Sequence, residues 1–326
     1  MLFRSGAVKL PVLLLVVWLG VFAGPVVHAQ AYPVKPVRVL VGVAPGGGLD
    51  AGTRTVSNKL GELLGQPFTV ENRAGGGGTI AATAVARAPA DGYTLLMAAT
   101  TLMVHPAVYA NLPYDPVKSF TPVGLAGTDI LVITAHPSVA ATNTAELIAL
   151  LKANPGKFHY GSPGTGTVVH LAMEIFRSQA GVQIEHVPYK GAAQAVPDHV
   201  SGQVPLSIMT INTALPQVKA GKIRAIGISS PVKLAVVDWP AIADTLPGFD
   251  AASTRFLLGP AGLPREIVTR LSEGLRRTLD AEDVQRAFSA QGSHWQFLTP
   301  EALAARMPAE VRKWSTAARE AGVQPE

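Results

Sequence analysis

The sequence predicts an α/β fold of the doubly wound kind, and three observations carry that prediction. The run Val37–Ala44 is almost wholly apolar and rich in β-branched residues, as a strand buried on both faces of a parallel sheet would be. Val56, Leu60, Leu63 and Leu64 then recur at helical spacing. Short apolar runs, glycine loops and helical segments go on alternating along the chain, which is how a helix-covered sheet is written in sequence.

In order, Pro45-Gly46-Gly47-Gly48 stops the first strand, and Asp50 opens a helix that Gly65-Gln66-Pro67 ends. Asp50 stands where a helix-capping side chain belongs, which is a better account of it than a catalytic acid. Phe68–Glu71 is a second strand, and Gly75–Gly78 a second glycine loop with Thr79 placed to cap the Ala-rich helix after it. Asp91-Gly92 turns the chain into a third strand, Thr94–Ala99. A second series follows: strand Ile130–Ala135, helix Thr144–Lys152, and strand Lys157–Tyr160 running into a third glycine loop, Gly161–Thr167, and a helix through Gln179. Strands Glu185–Tyr189, Val204–Met209 and Arg224–Ser229 alternate with short helices. Beyond Pro260–Pro264 the chain reads as helices over Arg265–Leu279, Ala281–Gln291 and Pro300–Ala321, with Thr299 as N-cap and Pro300 at the first helical position. Two α/β lobes and a helical C-terminal section are therefore expected.

Composition narrows the function. The chain of 326 residues is 48% apolar and 15% charged, so its surplus of glycine and proline marks turns rather than disorder. The absence of cysteine excludes a disulfide framework, a thiolate metal site and a thiol nucleophile. Arg4 and Lys9 precede a 14-residue apolar run, Leu10–Ala23, followed by Val27-His28-Ala29. That is the pattern of a cleavable export signal over residues 1–29, too short for comfortable membrane spanning. Losing Arg4 and Lys9 takes the net charge from +5 to +3. The remaining basic residues are scattered, so no nucleic-acid partner is expected.

Each glycine loop lies between a strand end and a helix start, where open α/β sheets bind ligands. The first amides of a helix lack partners and carry partial positive charge, and glycine lets a ligand approach the backbone; three such loops suit an anion. Ser162, Thr165 and Thr167 add hydroxyls that donate without a formal charge. Gly46-x-Gly48-x-x-Ala51 also fits the permissive dinucleotide fingerprint, with Glu71 near the position of a ribose-binding acid, although an export signal argues against a soluble nicotinamide cofactor. There is no G-x-x-x-x-G-K-[ST], and Tyr160-Gly161-Ser162-Pro163-Gly164 lacks the first glycine of a nucleophile elbow. His170 and Glu174, four apart on a helix, offer two metal ligands, but the other histidines are scattered, which favours a structural or cleft-lining His170. No acid/base pair or triad stands out, so no catalytic residue, metal or cofactor is expected.

At this point a resemblance adds to the reading. Tyr32-Pro33-x-Lys35-Pro36, Ala44-Pro45-Gly46-Gly47-Gly48-x-Asp50, Val70-Glu71-Asn72-Arg73 and Ala90-Asp91-Gly92-Tyr93-Thr94 occur in that order. Gly161-Ser162-x-Gly164-x-Gly166-Thr167-x-x-His170, His186-Val187-Pro188-Tyr189-Lys190-Gly191 and Pro260-Ala261-Gly262-x-Pro264 follow. With these the chain resembles, over nearly its whole mature length, the substrate-binding proteins of tripartite tricarboxylate transporters, the Bug or TctC-like family. The resemblance implies a type II periplasmic binding protein-like fold with an interlobe cleft, one lobe spanning 31–130 plus 254–326 and the other 131–253. It implies a small organic anion, a carboxylate, as ligand, membrane transporter subunits as partners, and a monomer in the periplasm. A role as a sensor for a membrane kinase stays open beside transport. Matched positions expected at the ligand are Gly46, Gly47, Gly48, Leu49 and Asp50; Gly77, Gly78 and Thr79; Thr101; Ser162, Gly164, Thr165, Gly166 and Thr167; His170; and Tyr189, Lys190 and Gly191.

Some positions depart from the family pattern. Leu102 stands where a histidine is frequent, Pro205 where an acid is usual, and Ile208-Met209 where Phe-Asp is frequent. Gln194 stands where a proline is frequent before the next helix. Ser253-Thr254-Arg255 lacks an aromatic, which leaves Arg255 either to approach the cleft or to be solvated, and the solvated reading is the favoured one. These changes tilt the expected ligand toward an anion with an apolar part.

Overall fold

The structure is a computed structural model that describes residues 32–46, 48–189, 192–230, 234 and 236–325. The proposed export signal, Gly47, Lys190 and Gly191 lie outside the described residues.

The first sheet takes β1 (Val37–Val41), β2 (Phe68–Asn72), β3 (Thr94–Ala99), β4 (Phe120–Asp129), and, after a long excursion, β10 (Ser253–Pro260) and β11 (Ser293–Leu298). Its order is β11-β4-β10-β3-β1-β2. The second takes β5 (Leu131–Ala135), β6 (His159–Ser162), β7 (Glu185–Pro188), β8 (Leu206–Thr210) and β9 (Arg224–Ile228), in the order β7-β6-β8-β5-β9. Helices α1 (Gly48–Leu64), α2 (Thr79–Ala86) and α3 (Thr101–Val108) connect the first strands. In the second series, α4 (Thr144–Ala153), α5 (Val168–Ala180), α6 (Ala192–Val200) and α7 (Ile211–Lys219) do the same. Helices α8 (Arg265–Asp280), α9 (Glu282–Ala290) and α10 (Pro300–Glu320) complete the chain.

Strand directions decide where the glycine loops go. β1, β2 and β3 are mutually parallel, and β10 runs antiparallel to β3 and to β4. The C-terminal ends of β1 to β4 therefore share one end of the first sheet. In the second sheet β6 is parallel to β7 and β8, while β5 is antiparallel to β8 and β9. Only Ile130 separates β4 from β5, so β5 begins where β4 ends. The return crossing enters β10 at Ser253, which sits opposite Asp129 of β4. Hydrogen bonds sew these crossings together: Ser229 N to Leu131 O at 2.8 Å, Ala251 N to Ser229 O at 3.1 Å, and Thr254 N to Thr100 Oγ1 at 2.8 Å. The C-terminal ends of β1, β2, β3, β6 and β7 thus all face the gap that the crossings span.

The core runs through both halves. Leu40, Leu96 and Phe256 of the first sheet belong to one buried cluster with Tyr160 and Ile208 of the second and Phe176 of α5, and Trp314 of α10 joins them, fully buried. Trp314 keeps its indole N–H satisfied by donating to Glu310 at 3.0 Å.

Helix ends show what local reading misses. Thr299 is the N-cap of α10, its hydroxyl accepting from Ala302 N at 3.2 Å. Thr299→Ala is expected to cost about 1 kcal/mol, read as a lowered urea midpoint. Thr79, expected to cap α2, is instead its first residue, because Gly78 turns the chain at φ 104° and takes the cap position. Asp50 likewise lies inside the first turn of α1, which starts at Gly48.

Candidate ligand-binding cleft

The first loop is braced from within. Asp50, 3% exposed, accepts from Gly46 N at 2.9 Å, from Asn72 Nδ2 at 2.8 Å and from Arg54 Nε at 3.1 Å. Asn72 Nδ2 also donates to Val43 O at 3.0 Å, and Arg54 Nη2 donates to Asn72 Oδ1 at 2.8 Å. Burial opposes the charge on Asp50, but the hydrogen bonds from Arg54, Gly46 and Asn72 outweigh it and hold its carboxyl below the usual range. Asp50 therefore shapes the loop, while Gly46 and Gly48 stay exposed and Leu49 half-buried. By helix geometry the first amides of α1 point out of this brace toward the gap.

The second loop depends on its glycines. Gly75, Gly76, Gly77 and Gly78 have φ of 130°, 54°, 60° and 104°, a succession that side-chain-bearing residues do not support. His105 of α3 fastens it, Nε2 lying 3.1 Å from Gly77 O and Nδ1 2.5 Å from Tyr114 Oη. Burial lowers the His105 pKa, keeping the ring neutral. Nε2 faces a carbonyl and must carry the proton, so Nδ1 accepts from the Tyr114 hydroxyl. No sequence pattern points to His105, while Tyr114 opens Tyr114-Asp115-Pro116, one of the motifs behind the family resemblance. Thr101 begins α3 beside this loop, and Thr100 Oγ1 meets Thr254 Oγ1 at 3.0 Å.

The third loop, on the second sheet, turns most of its hydroxyls inward. Ser162 ends β6 fully buried, with Oγ 2.7 Å from His186 Nε2 and 3.2 Å from Gly164 N. Thr167 is the N-cap of α5: its hydroxyl accepts from His170 N at 3.2 Å and donates to Gly164 O at 2.8 Å. Thr165 is exposed, and Gly164 and Gly166 are half-buried. Tyr189 backs the loop, its amide donating to Ser162 O at 3.0 Å and its hydroxyl to Asp198 at 2.7 Å. Burial and then Asp198 push that phenol up to about 12.

His170 lies behind this loop. It is 2% exposed, and its Nδ1 accepts from Gly166 N at 3.1 Å. Its ring stacks on His186 with centroids 3.9 Å apart, and His186 stacks on Tyr160 at 5.0 Å. Burial lowers His170 to about 3, with His186 and Arg177 adding to the shift, and lowers His186 to about 4. Two neutral rings stack here at a spacing two imidazolium ions would not tolerate. Glu174 does not join His170 in a metal site; it accepts from Tyr160 Oη at 2.5 Å and pairs with Arg177 at 2.6 Å. Among the described residues no cluster of three acidic or histidine side chains could hold a metal.

The two halves meet at these loops, since a Cβ on Gly166 would lie 3.0 Å from Val108 Cγ1 of α3. Leu49, Gly77, Gly78 and Thr101 line one small cavity, about 40 Å³, with Val43, Leu102 and His105. Two larger hollows among the described residues lie elsewhere, one of about 660 Å³ beside α1 and β2 and another of about 480 Å³ between α5 and α10, and neither contains an expected ligand residue. Glu71, the acid a bound ribose would require, is tied to Arg38 at 2.7 Å and Arg73 at 2.6 Å. Arg255 corrects the sequence reading outright. It is 1% exposed, not solvated, and it pairs with Asp129. The β10 register sets it among Asp129, Ser293 and α1, a neighbourhood no local pattern reveals.

Two α/β lobes, joined by paired crossing strands and presenting glycine-rich helix N-termini to the gap between them, define a two-lobed solute-binding protein. Residues 53–319 match the family described as the tripartite tricarboxylate transporter family receptor, and the chain belongs to that family. It is 32% identical to Protein BugT of Bordetella pertussis over 91% of this chain and 93% of that one. A solved structure described as a periplasmic transporter is 38% identical, with a TM-score of 0.75, covering 90% of this chain and 99% of its own. A second, R. palustris Rpa4515 with adipate, is 31% identical, with a TM-score of 0.76, covering 90% and 100%.

Proposed function

We propose that the chain captures a small organic carboxylate between its lobes and hands it to a membrane transporter, as a monomer in the periplasm after cleavage near Ala29. The observation that carries this reading is the convergence of glycine loops from both sheets on one gap, each opening a helix. An anion there meets backbone amides and the exposed Thr165 hydroxyl, with bridging water making up further contacts at little loss. The titratable groups around the loops are already engaged: Asp50 in an ion pair, His105, His170 and His186 neutral and hydrogen-bonded. That favours binding over catalysis. Leu49 and Leu102 in the lining favour a ligand with an apolar part.

A thermal-shift panel of adipate, malate, citrate, benzoate and NAD on the mature chain tests this. A bound carboxylate at about 100 times its Kd adds about 2.7 kcal/mol, a rise of several degrees. A shift with NAD and none with any carboxylate would overturn the reading. Tight, selective binding of a short amino acid would overturn the apolar component.

A further inference from the structure

Arg255 is an unusual buried cation, because its hydrogen bonds all come from one nitrogen, Nη2. Nη2 donates to Asp129 Oδ1, to Ser293 Oγ at 3.2 Å and to Gly48 O at 3.3 Å, and Ser293 Oγ in turn donates to Asp129 Oδ1 at 2.6 Å. Nε and Nη1 are buried without a partner. On one side α1 presses so close that a Cβ on Gly52 would lie 2.7 Å from the guanidinium carbon; on the other the Phe288 ring of α9 stands 5.1 Å away. A buried charge with the N–H groups of two of its three nitrogens unmet is a poor contributor to folding stability, and apolar replacements of such pairs are often neutral or stabilising. Stability is therefore a weak account of this arrangement, and its geometry offers a better one.

The three oxygens belong to three elements that set the cleft. Gly48 opens α1 at the first glycine loop. Asp129 is the last residue of β4, one residue from the second sheet. Ser293 sits across from Asp129 on β11, and Arg255 lies two residues into β10, the returning crossing strand. We propose that Arg255 is a positioning residue, a hinge latch that ties the first glycine loop to both crossing strands and so sets the angle between the lobes. Gly52 makes room for it; a larger residue there would push the guanidinium off Gly48 and Asp129. Only the effect on affinity rests on the carboxylate reading; the effect on lobe angle does not.

The chain has no cysteine, so spin labels on an Arg87→Cys, Lys152→Cys pair would be unique, one on an exposed site in each half. Electron–electron resonance then reads the distance between the lobes without ligand and with adipate. The latch predicts a narrow distribution in the labelled parent. Arg255→Met is expected to broaden it at least twofold and to weaken adipate binding about tenfold while the melting temperature holds, because the Asp129 it leaves behind is 20% exposed and keeps the Ser293 hydroxyl as donor. Arg255→Lys is expected to restore part of the narrowing. Asp129→Asn alone leaves a buried cation unpaired and invites unfolding, so the Arg255→Met/Asp129→Asn double variant serves as second test, with the same broadening as Arg255→Met. Unchanged distributions in both Arg255→Met and the double variant would overturn the latch. Broadening that merely tracks a fallen melting temperature would reduce Arg255 to a structural part and overturn it too. Failure of the parent to bind adipate would count against the carboxylate reading alone, and the ligand-free distances would still decide the latch.

Discussion

Acidification from pH 7 to pH 4.5 is expected to remove several kcal/mol of folding stability, beginning near pH 6.5. His170 and His186 take up protons only at about 3 and about 4 in the folded chain, against 6.5 for a solvated histidine. Across that interval the unfolded state binds up to two more protons than the folded one. Stability is then full above pH 6.5 and falls with pH by as much as about 1.4 kcal/mol per unit for the buried His170, and by less for His186, whose partial exposure screens it. His105 and His199, also lowered by burial, add to the slope in the same direction. Asp50, Glu71 and Glu310 act in a lower window, because their carboxyls are held below the usual range, and their contribution is lost as pH falls through and below about 4.5. Urea midpoints at pH 7, 6 and 5.5 therefore read the histidine window, and the carboxylates join at pH 4.5. His186→Gln, which keeps a donor for Ser162, is expected to flatten part of the slope. A midpoint constant from pH 6.5 to 4.5 would mean the stacked rings are not held neutral.

Gly42→Ala is expected to damage the cleft more than any other single methyl addition there. A Cβ on Gly42 would lie 2.5 Å from the Gly78 Cα and 3.2 Å from its carbonyl oxygen. Both are backbone atoms, so no rotamer change relieves the clash, and β1 must move away from the second glycine loop. The expected cost is about 1–3 kcal/mol of stability. Adipate affinity should fall on the order of 100-fold, the scale on which a 1 Å misplacement acts in a preorganised site. Gly48→Ala is the control, since nothing lies within 4 Å of its Cβ position. Its stability should stay within about 0.5 kcal/mol of the parent. Equal melting temperatures and equal adipate affinities for Gly42→Ala and the parent would contradict the close packing of these loops.

Much of this architecture was legible because it is punctuated locally. β3 was read to the residue, α8 to within one, and the glycine loops were found between strand and helix because glycine and proline mark such turns whatever lies around them. β4 was not legible as a strand. It carries Pro122, Gly124 and Gly127, and it is extended because β10 and β11 flank it. β11 carries no such breaker but lacks a sustained apolar alternation and is extended through its pairing with β4, and α3 is hidden by the Pro106 inside it. The residues that stiffen the cleft were the least legible. His186 reaches Ser162 from 24 positions away, and Arg255 reaches Asp129 from 126, so only the folded register brings them together. Ser162 and Thr167 were noticed for their hydroxyls, but sequence could not tell that these point into their own loop.

The order of strands has a consequence for life at high protein concentration. A sheet edge with free backbone groups is a template for another chain, and each of the four edges here is blunted by a different device. β2 carries a knot of opposite charges, Glu71 gripped by Arg38 and Arg73. β11 loses regular pairing between His294 and Phe297. β7 is four residues long and ends in Pro188. The end of β9 is bridged by Ala241, whose neighbour Pro240 accepts the Ile228 amide at 2.9 Å. Among the described residues, then, each sheet edge discourages a neighbouring copy from adding a strand, and crowding should favour separate copies over strand-swapped or fibrous assemblies.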